Sequence, residues 1–226
     1  MLDERLSLAA SLFEPCEVGA DIGTDHALLP VRLLQSGVCK RMLLCDVSDK
    51  ALAHARASVR RARLEDRAKL ICADGLDALD EACGCVSMMG MGGSTMREIL
   101  LRGQQRLRGA VLVLGAHTEQ PLVRDAVQRI GYRLTREELC KAGGRFYVMW
   151  RAEPGEMRQT EEEILYGSLM YESGSPLLRE YLLWRMDVMN AKRHGLLSAD
   201  AERARDELAR TEAALTFYRR RLEERA

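Results

Sequence analysis

The chain has 226 residues, of which 47% are hydrophobic and 30% are charged, and its formal net charge is +0. These values are typical of a globular protein of one or two domains, and they exclude nucleic-acid binding driven by overall positive charge. The seven cysteines are odd in number and scattered, which favours free thiols in a reducing cytoplasm. No run approaches about 18 consecutive apolar residues, so we expect a cytoplasmic protein without a membrane span.

The first 150 residues alternate short apolar runs with helical stretches such as 50–62. The runs predict five strands, at 17–22, 41–46, 68–73, 85–90 and 109–115. Continuous apolar strands separated by helices are typical of a parallel sheet covered on both faces, that is, a Rossmann-like α/β fold. Two later strands, near 132–139 and 145–150, are joined through two glycines and predict an antiparallel hairpin at one edge.

The pattern changes after residue 155, and we predict a Rossmann-like domain over 1–155 and a helical domain over 156–226. Apolar seams with spacings of 3 and 4 predict two helices of coiled-coil type. The first seam is Tyr181, Trp184, Val188, Ala191 and Gly195, and the second is Ala201, Ala204, Leu208, Thr211, Leu215, Tyr218 and Leu222. The helices should form an antiparallel hairpin, with Gly195 as C-cap and Ser198 as N-cap. Their basic residues form either a solvated face or an RNA-contacting arm.

The segment "DIGTDH" follows the first predicted strand, where ligands of doubly wound sheets bind. Gly23 permits a sharp turn and close approach of a ligand to the backbone. Thr24 and Asp25 come next, so there is no glycine-rich cradle for a dinucleotide phosphate. A carboxylate such as Asp21 favours a cation, and the sulfonium and ammonium groups of S-adenosylmethionine fit better than NAD.

Acidic residues and glycines also follow the next three strands. Asp46, with Val47 beside it, is placed to bind ribose hydroxyls, and Asp74 with Gly75 is placed to bind an adenine ring. Each acid could instead be an ordinary helix cap. The fourth strand ends in Gly90, Met91, Gly92 and Gly93, where a flat base could approach the backbone. For these glycines the alternative is a plain helix-entry turn.

The motifs "ADIGTDHALLP", "ADG" and "GMGG", in this order and followed by two helices, carry a resemblance that covers nearly the whole chain. The sequence resembles the bacterial TrmK-type tRNA (adenine(22)-N(1))-methyltransferases, which have a class I methyltransferase sheet and a coiled-coil-like pair of C-terminal helices. The resemblance implies S-adenosyl-L-methionine as cofactor, S-adenosyl-L-homocysteine as product, no metal, and tRNA as partner. We expect a monomer that does not act at a membrane.

The resemblance also assigns residues. It places Asp21, Gly23, Asp46, Asp74, Gly75 and Gly90 at the cofactor, and Met91, Gly92, Gly93 and His26 at the substrate. We further predict that Val47 binds the cofactor and that Arg145 binds the substrate. Two stretches depart from the family pattern, Leu114 to Ala116 and "KAGGRFY" at 141–147. Both flank the acceptor side of the pocket.

The acceptor implied by the resemblance is adenine N1, which is unprotonated at neutral pH and needs no strong base. Catalysis then depends mainly on positioning, and we predict Asp25 and His26 as the catalytic residues, with Asp25 stabilising the cationic product base. The alternatives are that Asp25 caps the helix beginning near Ala27 and that His26 is structural. Candidate phosphate contacts are Arg32, Lys40, Arg41, Arg97, Arg145 and the C-terminal arginines.

Three other functions stay open at this stage. A class I methyltransferase with another RNA or a small molecule as acceptor would fit the two departures. A catalytically silent RNA-binding protein would require a degenerate cofactor site, which the intact acids and glycines disfavour. A NAD-dependent oxidoreductase would require phosphate-binding glycines that the sequence lacks.

Overall fold

The structure is a computed structural model that describes residues 4–198 and 201–224. Contacts divide the chain into two compact units, residues 1–169 and 170–226. The domain boundary after residue 155 stays a prediction, since the short helix that follows it is grouped with the first unit. Limited proteolysis would test where the domain boundary lies.

The elements alternate in the way that the sequence predicts. The strands are β1 (Cys16–Ile22), β2 (Cys39–Asp46), β3 (Ala68–Cys72), β4 (Cys85–Met89), β5 (Val111–Gly115), β6 (Tyr132–Ala142) and β7 (Arg145–Pro154). The helices are α1 (Glu4–Ser11), α2 (Leu28–Ser36), α3 (Asp49–Arg61), α4 (Gly93–Gly103), α5 (Gln120–Arg129), α6 (Glu161–Tyr166), α7 (Leu178–Leu197) and α8 (Ala201–Glu223). Short 3-10 turns cover Glu65–Arg67, Gly75–Ala78, Gln104–Arg106 and Leu169–Tyr171.

The seven strands form one sheet in the order β3-β2-β1-β4-β5-β7-β6. The first five are parallel and β7 pairs antiparallel with both β5 and β6, which confirms the predicted Rossmann-like sheet and its edge hairpin. The core strands are buried almost without interruption, because helices cover both faces. Gly143 and Gly144 both have positive φ, as a two-residue type I′ turn requires.

The helix predicted at 50–62 is α3, and its start and end follow from local chemistry. The Ser48 side chain accepts a hydrogen bond from the Ala51 backbone, so the helix is capped two residues after Asp46. Asp49 lies in the first turn, and Arg60 and Arg61 lie in the last, where each charge complements the helix dipole. The cap therefore fixes where α3 leaves the sheet.

The second unit contains two helices, α7 and α8, and confirms only one of the two predicted seams. On α8, the side chains of Ala204, Thr211, Leu215 and Tyr218 are buried, as the spacing predicts. Leu208 and Leu222 are half-buried, and the side chain of Ala201 lies outside the described residues.

The seam predicted on α7 is wrong by one position. Of its residues only Tyr181 is buried, whereas Trp184 and Val188 are 40% and 38% exposed, and Ala191 and Gly195 are exposed. The inward face instead carries Leu178 and Leu182, followed by Arg185, Met186 and Met189, which are half-buried. The Arg185 guanidinium donates to the Tyr218 hydroxyl at 3.0 Å. A basic residue, which the sequence pattern would place on the solvent-facing side of the helix, therefore lies in the seam.

The predicted caps between α7 and α8 also differ from the structure. Gly195 lies inside α7, which continues to Leu197, and Ser198 is its C-cap rather than the N-cap of α8. The Ser198 hydroxyl donates to the His194 carbonyl at 3.2 Å, which satisfies a backbone group at the end of the helix. Residues 199–200 lie outside the described residues. Across the described segments, no helix has both the length and the apolar character needed to span a bilayer.

Candidate active site

The candidate site lies where the strand order reverses, at the carboxyl ends of β1 and β4. Gly23 has φ +80°, and a Cβ on it would lie 3.0 Å from the Cε of Met91. The structure therefore brings the motif after β1 against the motif after β4, although Gly23 and Met91 are 68 positions apart in the chain. Gly23 leaves open the backbone space that a cofactor needs at this point.

Asp21 is a buried carboxyl in β1 and is 7% exposed. The Ser87 hydroxyl of β4 donates to its Oδ1 at 2.6 Å. Burial raises the pKa of Asp21, and the hydrogen bond from Ser87 only partly opposes this effect. A nearby cation stabilises the charged form of a carboxyl group whose pKa is raised by burial, so the environment suits the ammonium or sulfonium group of a ligand.

Asp25 lies on the surface and interacts with two histidines. His54 Nδ1, from α3, is 3.0 Å from Asp25 Oδ1, and His26 Nε2 is 3.4 Å from Asp25 Oδ2. The His26 and His54 rings stack at a centroid distance of 4.8 Å and an angle of 4°. The helix after this segment has Ala27 as its N-cap without a side-chain hydrogen bond, so Asp25 does not cap it.

These three side chains are the one group in 4–198 and 201–224 with three potential metal-ligand atoms within 4.8 Å of one another. An ion bound by two imidazoles must lie close to both ring planes, because each nitrogen lone pair lies in its ring plane. Parallel stacked rings do not share such a point. The arrangement therefore orients a carboxylate rather than forming a metal centre.

The ends of β2 and β3 carry the residues predicted to bind an adenosine group. Asp46 ends β2, and its Oδ1 accepts from the Ser48 backbone N–H at 2.9 Å, while Val47 is 67% exposed. Asp74 follows β3 and pairs with Arg102 of α4 at 2.8 Å, and this hydrogen bond lowers the pKa of Asp74. This ion pair with Arg102 was not predicted from the sequence. It holds the Asp74 carboxylate in place and keeps it ionised, so that it can accept hydrogen bonds.

Glycines shape the pocket wall after β3 and β4. Gly75 has φ +61°, and a Cβ there would lie 2.9 Å from Ile99, whereas Gly90 has φ +78° and more space. Gly92 is the N-cap of α4 and Gly93 is its first residue. A Cβ on Gly93 would lie 2.3 Å from the Glu119 carbonyl oxygen, so this glycine is required for close packing of α4 against the start of α5.

Replacing Gly93 by alanine should destabilise the protein by about 1–3 kcal/mol, because backbone at 118–119 would have to move to relieve the overlap. Gly92→Ala is the matched control, since its Cβ would meet only side-chain atoms, the nearest being the Thr118 hydroxyl oxygen at 3.3 Å. Urea unfolding of the two variants and the wild type measures the difference. Equal midpoints for both variants would show that the contact at Gly93 is tolerated.

The end of β5 adds a histidine that departs from the family pattern. His117 Nε2 lies 3.7 Å from the position of a Cβ on Gly90, and its backbone N–H donates to the Met91 carbonyl at 3.0 Å. Its ring meets Tyr147 edge-on at a centroid distance of 6.0 Å. Burial, followed by the positive charges of Arg5 and Arg145, lowers the pKa of His117. Arg145 is the first residue of β7, the strand next to β5 in the sheet.

The basic residues proposed for phosphate contact are not equally available. Lys40 forms an ion pair with Glu17 at 2.6 Å, and Arg41 forms a bidentate ion pair with Glu81, with hydrogen bonds of 3.0 and 2.7 Å. Because these cations already have counter-charges, neutralising phosphates with them requires breaking existing pairs.

Residues 2–150 match the protein family described as "Methyltransferase domain". The chain belongs to this methyltransferase family. The matched range contains each residue that the structure brings to the carboxyl ends of β1 to β5.

Individual relatives carry more specific descriptions. The tRNA (adenine(22)-N(1))-methyltransferase of Bacillus subtilis (strain 168) is 26% identical over 157 residues, which are 69% of this chain and 66% of that protein. Sp1610 of Streptococcus pneumoniae, in complex with S-adenosyl-L-methionine, has a TM-score of 0.82, with 22% identity over 98% of this chain and 100% of that one. M. capricolum TrmK, in complex with S-adenosyl-homocysteine, has a TM-score of 0.84, with 23% identity over 99% and 98%. The similarity of fold to these two solved structures thus covers residues of both units.

Sequence reasoning missed His54 and Arg102, and it noted His117 only as the residue after the departure at Leu114 to Ala116, without a role. His54 lies in a helix whose apolar spacing is its main sequence signal, and Arg102 lies in the last turn of another, where a basic residue is usual. A role for His117 could have been proposed from the sequence, because it follows a strand end at which the chain departs from the family motif.

Proposed function

We propose that this protein is an S-adenosyl-L-methionine-dependent methyltransferase that methylates N1 of adenine 22 in tRNA. The observation that carries the proposal is the convergence of Gly23 and Met91 at the switch point of a methyltransferase sheet. The name of the B. subtilis relative supplies the acceptor. The alignment spans just under two thirds of that relative, so activity and substrate are part of the proposal.

The residues present fit the proposed cofactor, which supplies a methyl group on a sulfonium when bound. The open space at Gly23 would admit it close to the backbone, and the buried carboxyl of Asp21 would face its positive end. Asp46, with Val47 beside it, would hold the ribose, and Asp74 with Gly75 would hold the adenine. No metal has a role in the proposal.

The chain's own contribution to catalysis is positioning and electrostatic stabilisation. Adenine N1 carries a lone pair at neutral pH, so the enzyme must hold the base in line with the methyl group rather than remove a proton. Gly90, Met91, Gly92 and Gly93 would form the wall against which the base lies. An adenine whose N1 edge is paired must first be extruded from its helix.

Asp25 is the proposed catalytic carboxylate, and His26 is proposed to contact the same base. Methylation makes the base cationic, and a fixed carboxylate stabilises that developing charge without reorganising. His54 hydrogen-bonds to Oδ1 at 3.0 Å and His26 Nε2 lies 3.4 Å from Oδ2, which leaves further lone pairs to accept a hydrogen bond from the N6 amino group. Arg145 would contact a phosphate near the target.

A methyltransferase with another RNA acceptor is the second candidate. The observation that favours it is the group of His117, Tyr147 and Arg145 on the acceptor side, where the sequence departs from the family pattern. These side chains offer aromatic and cationic contacts that suit a nucleobase and its phosphate. They would change which base is presented and leave the cofactor site intact.

The experiment is methylation of unmodified tRNA transcripts with methyl-labelled S-adenosylmethionine, followed by digestion and identification of the labelled nucleoside. We expect label in 1-methyladenosine, and loss of that label when adenine 22 is replaced by guanine. Label in another nucleoside, or in a transcript lacking adenine 22, would favour the second candidate. Cofactor binding without transfer to any RNA would contradict both, and absence of cofactor binding would contradict methyl transfer altogether.

A cytoplasmic location and a monomeric state belong to the same proposal. The seven cysteines, all within 4–198, are free thiols, as expected in a reducing compartment. Light scattering at micromolar concentration would measure the mass directly, and a value of twice the 25.4 kDa chain would contradict the monomer.

A further inference from the structure

Two cysteine thiols face each other at the amino ends of β1 and β2, whereas the candidate active site lies at the carboxyl ends of the strands. Cys16 and Cys39 are the first residues of β1 and β2 and are register partners, with their Sγ atoms 3.4 Å apart. Adjacent strands lie about 4.8 Å apart. This spacing falls within the Cα separation that disulfides require, so the bond needs rotation of side chains but no movement of strands.

Two glycines leave room for this sulfur pair. A Cβ on Gly84 would lie 2.7 Å from Cys16 Cβ, and a Cβ on Gly19 would lie 2.8 Å from Cys39 Sγ. The backbone is also fixed here, because the Cys16 N–H donates to the Val38 carbonyl at 2.8 Å. The thiols are therefore held close together by a rigid frame rather than meeting by chance on mobile loops.

The two thiols differ in accessibility and in acidity. Cys16 is half-buried and reachable from solvent, whereas Cys39 is fully buried behind it. The hydrogen bond between them lowers the pKa of Cys16 against the effect of burial, and the same bond together with burial raises the pKa of Cys39. A more acidic accessible thiol beside a second thiol is the usual arrangement of an oxidisable pair.

We propose that Cys16 and Cys39 are a modification site at which hydrogen peroxide forms a disulfide. The Cys16 thiolate attacks the peroxide, the O–O bond breaks, and Cys16 becomes a sulfenic acid as hydroxide leaves and is protonated to water. The Cys39 sulfur then attacks Cys16, and the departing hydroxide takes the Cys39 proton to form a second water. Two thiols are thus oxidised by two electrons while one peroxide is reduced. The inference does not depend on the proposed function.

Cys72 provides an internal comparison within the same chain. It is exposed, so it would react first if accessibility alone determined the order. Partial loss of solvent around the thiol, followed by the negative charge of Asp49, raises the pKa of Cys72. Its Sγ is directed toward the Val47 carbonyl at 3.7 Å rather than toward another thiol. Oxidation of Cys16 before Cys72 would therefore reflect the pair itself.

The test treats the full-length reduced protein with hydrogen peroxide, blocks remaining thiols by alkylation, and maps peptides by mass spectrometry without reduction. We expect one linked pair, Cys16 with Cys39, with the loss of two hydrogens, reversed by dithiothreitol. In Cys39→Ser, Cys16 should be trapped as a sulfenic acid by dimedone; in Cys16→Ser, no link should form. Prior oxidation of Cys72, or a link from Cys16 to Cys83 or Cys85, would overturn the proposal. The peptide map of the wild-type protein tests the proposal even if a variant fails to fold.

Discussion

Replacing Glu137 by alanine should lower the free energy of unfolding by about 3–5 kcal/mol, because it leaves the buried guanidinium of Arg124 without a counter-charge. The two side chains are 0% and 1% exposed. Glu137 accepts hydrogen bonds from Arg124 Nε at 2.8 Å, from Trp150 Nε1 at 2.8 Å and from the Ser168 backbone at 3.0 Å. One carboxylate therefore joins α5, β6, β7 and the segment after α6.

Urea unfolding of Glu137→Ala, of the double variant Arg124→Leu with Glu137→Leu, and of Glu138→Ala measures this effect. Glu138 pairs with Arg136 on the exposed side of the same strand, so its loss should cost less than about 1 kcal/mol. The double variant should be more stable than Glu137→Ala, because no charge is left buried alone. Equal losses of unfolding free energy in Glu137→Ala and Glu138→Ala would show that the buried charge of Arg124 is not destabilising when it lacks Glu137.

Replacing Asp25 by alanine should reduce the rate of tRNA methylation by about 10²-fold or more, with little change in cofactor affinity. The expectation rests on the proposed function, in which this carboxylate stabilises the cationic base. His54 should act as a positioning residue, because it holds Asp25 Oδ1 at 3.0 Å and stacks on His26. His54→Ala should therefore lower kcat by roughly tenfold, less than removal of the carboxylate itself.

Kinetics of the single and double variants separate this role from a structural one. His54→Asn should recover part of the lost kcat, since an amide nitrogen can take the place of Nδ1, and Asp25→Ala with His54→Ala should be no slower than Asp25→Ala. Arg56→Ala, on an exposed position of the same helix, is the matched control. Unchanged kcat in His54→Ala, or effects of His54 and Asp25 that multiply, would refute the positioning role while leaving methylation established.

Local patterns were sufficient for most of the first unit. The apolar runs identified the five parallel strands, because a strand in a sheet covered by helices is largely apolar, and the two glycines marked the hairpin that adds β6 and β7. The acids and glycines of the candidate site could be selected because parallel strands bring their carboxyl ends to one edge of the sheet. Each of these conclusions depends on neighbours within a few residues in the chain.

Contacts between distant segments required the tertiary structure. His54 meets Asp25 across 29 positions, Arg102 meets Asp74 across 28, and Gly93 is needed by the backbone of Glu119. On α7, a spacing of 3 and 4 fits adjacent faces almost equally well, and the burial of Leu182 and Arg185 rather than Trp184 was decided by the partner helix. Periodicity determines that a helix has an apolar face, whereas the packed neighbour determines which face that is.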